Sequence, residues 1–475
     1  MRKQRLASTL LLLAVAALPA CSTLQSVKQT FIGGSPATTE TPRLAGFIGA
    51  AVADEPSAAL AAREVLATGG TAADAAVALG FTLAVTLPSR AGLGGGGACL
   101  AYSAAKTGPG AGQPEAILFL PAAPPPAPDA DRPAAIPLMA RGLYALQARY
   151  GTQQFETLVA PAERLARFGT PVSRTLADDL ALVATPLSAD PNAAAIFTSN
   201  GAPLATGATL TQPDLGATLA QLRTAGVGDL YQGQLANRFV QAAQTAGAGI
   251  DAAALRDSLP KTALPLFLSA GRDRVAFLPP PADGGLAAAA AFRALFAGHA
   301  DLATAQAEAL AATATWRAGG ATPEAILAHP TTGATLPALP ASTTYATLDR
   351  RGNAVVCAVT MNNLFGTGRI APGTGILLAA SPAAVPPPLL AAALAWNTSI
   401  GAFRAEIAGS GQEGAALAVA DGLLNALQSK QPMPTPVPAP GRANVIACSR
   451  YLPDSEASCG WAADPRNTGL VAAGN

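Results

Sequence analysis

The sequence predicts a stacked α/β fold, on three observations. Small apolar residues run almost unbroken over 58–86, interrupted only by Gly69-Gly70, the mark of two helices packed closely enough to favour alanine. Two strand-like runs, 345–348 and 354–360, flank the turn residues Gly352-Asn353. A last helical stretch over 414–428 closes the regular part of the chain. Helices towards both ends, with two groups of strands among them, argue for helical layers stacked on sheet.

Taken in order, the first helix pair is followed by Gly94-Gly95-Gly96-Gly97 and an apolar run over 98–102. A phosphate loop would need a Gly-Lys-Ser/Thr and an opening helix, and neither is present. The glycines therefore predict close backbone packing ahead of a strand. Segments 140–150, 154–168, 176–183 and 230–246 predict helices, separated by Gly, Pro and Asn. A strand over 272–278 leads through Pro279-Pro280-Pro281 and Asp283-Gly284-Gly285 into a helix over 286–296. Strands return over 345–348, 354–360, 376–379 and 402–408.

The 475 residues carry a formal charge of +1, 50% hydrophobic residues and only 12% charged ones. That balance gives no reason to expect nucleic-acid partners and allows a large core. Gly (47) and Pro (41) stay below the roughly 25–30% share that signals disorder. At the N-terminus, Arg2, Lys3 and Arg5 precede an apolar run too short to span a bilayer. Residues 1–20 predict a secretion signal, and Leu18-Pro19-Ala20-Cys21 resembles a bacterial lipobox, with Cys21 the lipidated residue. Residues 21–44 would then be a flexible tether holding the protein on the periplasm-facing side of the cell envelope. Cys99 and Cys357 lie in apolar segments and predict small core residues. Cys448 and Cys459, in a polar tail, are spaced to close a short disulfide loop in an oxidising compartment.

The chemistry concentrates in Ser342-Thr343-Thr344, hydroxyl residues that follow a Pro- and Ala-rich segment and open a strand. A chain cut just before such a residue frees an α-amine, with a reference pKa of roughly 7.7–8.0, that serves the hydroxyl as general base. No histidine is then required. The only histidines, His299 and His329, have no nucleophile elbow near them, and no zinc-ligand spacing occurs. No cofactor or metal is expected.

Several motifs together resemble the γ-glutamyltranspeptidase family of N-terminal nucleophile hydrolases. They are Gly69-Gly70-Thr71-Ala72-Ala73-Asp74-Ala75-Ala76, Leu93-Gly94-Gly95-Gly96-Gly97, Ala160-Pro161-Ala162-Glu163-Arg164-Leu165, Leu176-Ala177-Asp178-Asp179-Leu180, and 349–368. The resemblance implies a four-layer αββα sandwich and self-cleavage into a large-subunit region, 45–341, and a small-subunit region, 342–475. It also implies a small amide or peptide substrate. It puts the nucleophile at Ser342, or at Thr343 if one residue is deleted, with Thr360 supporting it and Asn362 contacting substrate. The family's carboxylate-binding arginine falls on Leu120, its glutamine and aspartate on Ser381 and Ala384, its serine pair near Ala391-Ala392, and its oxyanion glycines on Gln412-Glu413. The expectation is a self-cleaving amidohydrolase or acyltransferase with altered acyl specificity. The alternatives are a non-catalytic envelope lipoprotein that keeps the fold as a binding module, and a true γ-glutamyl transferase or glutathione hydrolase.

Overall fold

The alanine-rich runs separate into four layers in the computed structural model, which describes residues 43–428, 437–466 and 469–474. The expected signal peptide and Cys21 lie outside the described residues. One sheet has seven strands in the order β13 (Leu470–Gly474), β1 (Gly49–Ala53), β7 (Ser342–Asp349), β8 (Ala354–Thr360), β2 (Gly96–Tyr102), β3 (Glu115–Phe119) and β4 (Lys261–Ala263). The second has six, in the order β12 (Cys459–Ala462), β11 (Arg442–Leu452), β10 (Ala402–Ser410), β9 (Ala391–Asn397), β6 (Asp273–Phe277) and β5 (Leu266–Ala270). Every neighbouring pair around the site is antiparallel.

Helices cover the outer face of each sheet. On the first, α1 (Pro56–Ala67), α2 (Ala72–Thr86) and α3 (Met139–Tyr150) lie against the strands, and α4 (Phe155–Phe168) packs on α2. On the second, α5 (Gly284–Phe296) and α7 (Ala415–Gln428) lie against the strands, and α6 (Leu302–Ala318) backs them. Helix α2 is buried along its whole length and begins with a capping box between Thr71 and Asp74. With no polar face, it is a core helix. This is the αββα sandwich, and each sheet holds strands from both sides of residue 342, interleaved in the seven-stranded one.

Side-chain alternation along β7 decides what faces what. Ala346 and Leu348 point into the layer between the sheets, where they meet Leu390, Ala392 and Leu394. Tyr345 points the other way, into the core beneath α2 and α3. The glycine run brings backbones close, as its composition implied. A Cβ on Gly95 would sit 2.3 Å from the Thr360 carbonyl oxygen, and one on Gly97 2.3 Å from that of Ala358.

Four expectations need correction. Cys99 and Cys357 are not separate core thiols. They face each other across β2 and β8 with Cα atoms 4.1 Å apart and form a disulfide, a pairing hidden by 258 residues of intervening sequence. Of the region expected as a tether, 21–44, residues 43 and 44 belong to the fold: Leu44 N–H donates to Ala67 O and Arg43 pairs with Glu64, while the rest lies outside the described residues. The helix expected over 230–246 breaks at Gly233, where the Asp229 carboxylate caps the next helix through Gln234 N–H at 2.9 Å. The strand expected over 376–379 shortens to Ile376–Leu377. Cys448 and Cys459 form a disulfide that links β11 to β12.

Candidate active site

Ser342 is the first residue of β7 and lies directly opposite Thr360, the last residue of β8. Directly opposed residues share a face, and alternation puts both on the inter-sheet side, at the end of the sandwich. Their side chains are buried, with Ser342 at 2% exposure and Thr360 at 0%.

The Thr360 hydroxyl is held on both sides. Its oxygen accepts from Asn362 N–H at 2.9 Å, and its own proton goes to the carbonyl oxygen of Ala341 at 3.0 Å. That carbonyl belongs to the peptide bond immediately before Ser342. Asn362, in the left-handed region at φ 56°, anchors its side chain on Ala380 O at 3.0 Å. A small polar side chain tolerates that backbone conformation better than most. Upstream, Gln412 Nε2 donates to Leu339 O at 2.9 Å. Gln412 also opens the 3-10 turn Gln412–Gly414 that leads into α7, where initial N–H groups lack intrahelical acceptors. Before Leu339 the chain runs largely exposed and without regular structure over 331–338, with Leu336 packed against the second core.

Thr343 is placed differently. Its hydroxyl donates to Asp54 Oδ2 at 2.8 Å, on the residue just beyond β1. The same carboxylate also accepts from Thr344 N–H at 3.3 Å, Ser410 Oγ at 3.4 Å and Asn444 Nδ2 at 2.8 Å. Asp54 is 1% exposed and joins three strands across both sheets. Sequence reasoning missed it and Asn444. The available signal was the acidic pair Asp54-Glu55 directly after the wholly apolar strand Gly49–Ala53.

At the acyl side, Leu120 packs half-buried against the inter-sheet core. Ser381 is buried in its own turn, accepting Ala383 N–H at its hydroxyl and donating its N–H to Pro133 O. Ala384 is exposed, and Ala391 and Ala392 are buried in β9. Two arginines are already committed elsewhere: the half-buried Arg90 is paired bidentately with Asp179, and the buried Arg404 donates to Cys448, Ala426 and Leu427 carbonyls. Further into the layer, Glu406 on β10 is wholly buried, and neither carboxylate oxygen has a hydrogen-bond partner among the described residues. Burial, and then the charge of Asp349, push its carboxyl well above the usual carboxylate range. Among the described residues no three His, Cys, Asp or Glu side chains are grouped to hold a metal ion.

An αββα sandwich with a hydroxyl residue opening a central strand, at one end of the inter-sheet layer, defines the N-terminal nucleophile hydrolase fold. The crystal structure of cephalosporin acylase from Bacillus halodurans shares it, with a TM-score of 0.71 at 18% identity over 92% of this chain and 98% of that one. The chain belongs to the γ-glutamyltranspeptidase family, whose sequence model matches residues 58–318. The glutathione hydrolase proenzyme of Escherichia coli K12 is 30% identical over 370 residues, 66% of this chain and 63% of that protein. The acylase ACY 1 proenzyme of Pseudomonas sp. SE83 is 29% identical over 266 residues, 52% of this chain and 48% of that one. In both cases the match spans less than two thirds of the relative's length.

Proposed function

We propose that this protein is an amide hydrolase or acyltransferase that cuts its own chain between Ala341 and Ser342 and then uses Ser342 as an N-terminal nucleophile. The carrying observation is the hydrogen bond from Thr360 Oγ1 to the Ala341 carbonyl. It polarises the bond to be cut and stands ready for the negative charge that develops on that oxygen. In the first reaction Ser342 Oγ attacks the Ala341 carbonyl carbon and the C–N bond breaks. The hydroxyl proton passes to the departing nitrogen, leaving an ester. Water hydrolyses the ester to the Ala341 carboxylate and a free Ser342 α-amine. In turnover that amine takes the Oγ proton, and Oγ attacks the substrate amide.

Ser342 is favoured over Thr343 because its side chain shares a face with Thr360, whereas the Thr343 hydroxyl is engaged by Asp54. Asn362 orients Thr360 and borders the substrate space with Ala380. The acyl group that fits Leu120 and Ala392 is apolar or uncharged, since a carboxylate there would lose charged hydrogen bonds worth roughly 1.5–3 kcal/mol each. A non-catalytic module would have no need of a polarised Ala341 carbonyl. The lipobox-like Leu18-Pro19-Ala20-Cys21 supports a lipid anchor on the bacterial envelope. Among the described residues no helix is long and apolar enough to cross a membrane.

The test is the intact mass and N-terminal sequence of the purified protein. Two fragments, the smaller beginning at Ser342, are expected. A single uncut chain overturns the proposal.

A further inference from the structure

We propose that Asp54 is the positioning residue of the nucleophile, fixing the start of β7 through Thr343, Thr344 and Asn444 and setting the proton affinity of the freed Ser342 α-amine by its charge. The inference rests on the self-cleavage reading.

The geometry is that of a peg at the strand's end. Asp54 holds the side chain of the residue after Ser342 and the backbone N–H of the next, at 2.8 and 3.3 Å. From the opposite sheet, Asn444 and Ser410 close on the same carboxylate at 2.8 and 3.4 Å. Once the Ala341–Ser342 bond is cut, residue 342 loses its upstream covalent tie. Its position then depends on the ladder to Thr360 and on this carboxylate next door. A chain end free to swing would lose the attack geometry that intramolecular placement provides.

The carboxylate also acts through space. An opposite charge close to an amine favours its protonated form, so Asp54, bonded to the two residues that follow Ser342, raises the proton affinity of the freed α-amine. Other charged groups around the strand end include Glu55, next to Asp54 and buried at the start of α1, Arg90 beside α2, which senses Asp54, Arg442 opposite Ser410 on β11, Glu413 in the 3-10 turn, and Glu406 four residues inward from Ser410 on β10. Asp54 is the one bonded directly to the residues that follow Ser342. Asn444 Oδ1, buried and without a partner among the described residues, offers an acceptor to an amide at position 54 once Asn444 turns over, so Asp54→Asn has a way to keep its contacts.

The experiment titrates the Ser342 α-amine in the cleaved full-length protein by its pH-dependent labelling with acetic anhydride, read as the acetylated N-terminal peptide of the small fragment. In Asp54→Asn the half-labelling pH should fall by about 0.5–1 unit, and self-cleavage should slow. Thr343→Val, which keeps the charge and removes one tie, should slow self-cleavage while leaving the labelling midpoint in place. Asp54→Asn protein that folds, by its circular dichroism and melting, but stays uncut would demonstrate the positioning role directly. An unchanged midpoint in cleaved Asp54→Asn, or unchanged cutting in Thr343→Val, overturns this inference and leaves the proposed function standing. An uncut wild-type chain overturns both.

Discussion

At the nucleophile end of the site, Asn362 N–H, Thr360 Oγ1 and the Ala341 carbonyl form an unbroken line of donors and acceptors, while Asp54 gathers four more donors around the same strand end. At the acyl end, Leu120 and Ala392 present hydrocarbon to the inter-sheet layer, Ala391 turns the other way into the core under the helices, and Ser381 spends its hydroxyl on its own turn. A catalytic hydroxyl needs its partners within hydrogen-bond reach, which restricts side-chain replacement at one end. An acyl pocket is free to trade ion pairs for methyl groups, and doing so changes only what it admits. The difference teaches that bond-breaking chemistry and acyl preference are separable in this fold.

The sharpest way to break the comparison is at Ser342. Ser342→Ala should leave a single chain of undiminished mass under conditions that cut the wild type completely, whereas Thr343→Ala should still be cut. A cut Ser342→Ala chain would move the nucleophile to the neighbouring threonine. Next in size is Thr360→Val, which removes the donor to the Ala341 carbonyl while keeping the side chain's shape. Loss of one oxyanion donor typically costs about 100- to 1000-fold in rate, so self-cleavage timed by gel should slow by that range. A variant cut at the wild-type rate would remove Thr360 from the chemistry.

The acyl end is tested by comparing p-nitroanilides of an apolar acyl group and of γ-glutamate on the cleaved protein. With one charged hydrogen bond fewer than a glutamyl pocket requires, worth roughly 1.5–3 kcal/mol, kcat/KM should favour the apolar substrate by about 10- to 100-fold. Equal or reversed values would show that another cation replaces the lost arginine.

How much of this was legible in the sequence varies with how local the signal is. The α2 run and the glycine-rich turn into β2 declare themselves because their meaning lies within a few residues. Strand β9, with the sequence Ala-Ala-Ala-Leu-Ala-Trp-Asn, carries residues that favour helix in isolation, and only burial between two layers makes it a strand. The Cys99–Cys357 bond and the Asp54–Asn444 contact join residues 258 and 390 positions apart, and no pattern along the chain encodes such a meeting. Ser342, Thr360 and Asn362 were named from a resemblance. What the residues alone supplied was a strand opening in hydroxyls, and the register of β7 against β8 makes that a facing pair.

The two carboxylates of the inter-sheet layer extend the contrast to stability. Asp54 is satisfied by four donors, and Glu406, between Leu394 and Ile446 on the neighbouring strands, has none among the described residues. Burial raises the folded-state proton affinity of Glu406 above its ordinary value of 4.5. The folded protein therefore binds this proton more tightly than the unfolded chain. Its contribution is fully present below about pH 4.5 and is lost as pH rises towards the folded-state value, by at most about 1.4 kcal/mol per pH unit. Glu406→Gln is nearly isosteric and does not titrate, so it lacks this loss. In urea unfolding, the wild type should lose stability relative to Glu406→Gln from pH 5 towards pH 8, by at most about 1.4 kcal/mol for each pH unit below the folded-state value. A difference that stays constant across that range would mean that Glu406 finds a hydrogen-bonding partner in solution, and the two carboxylates would then be alike.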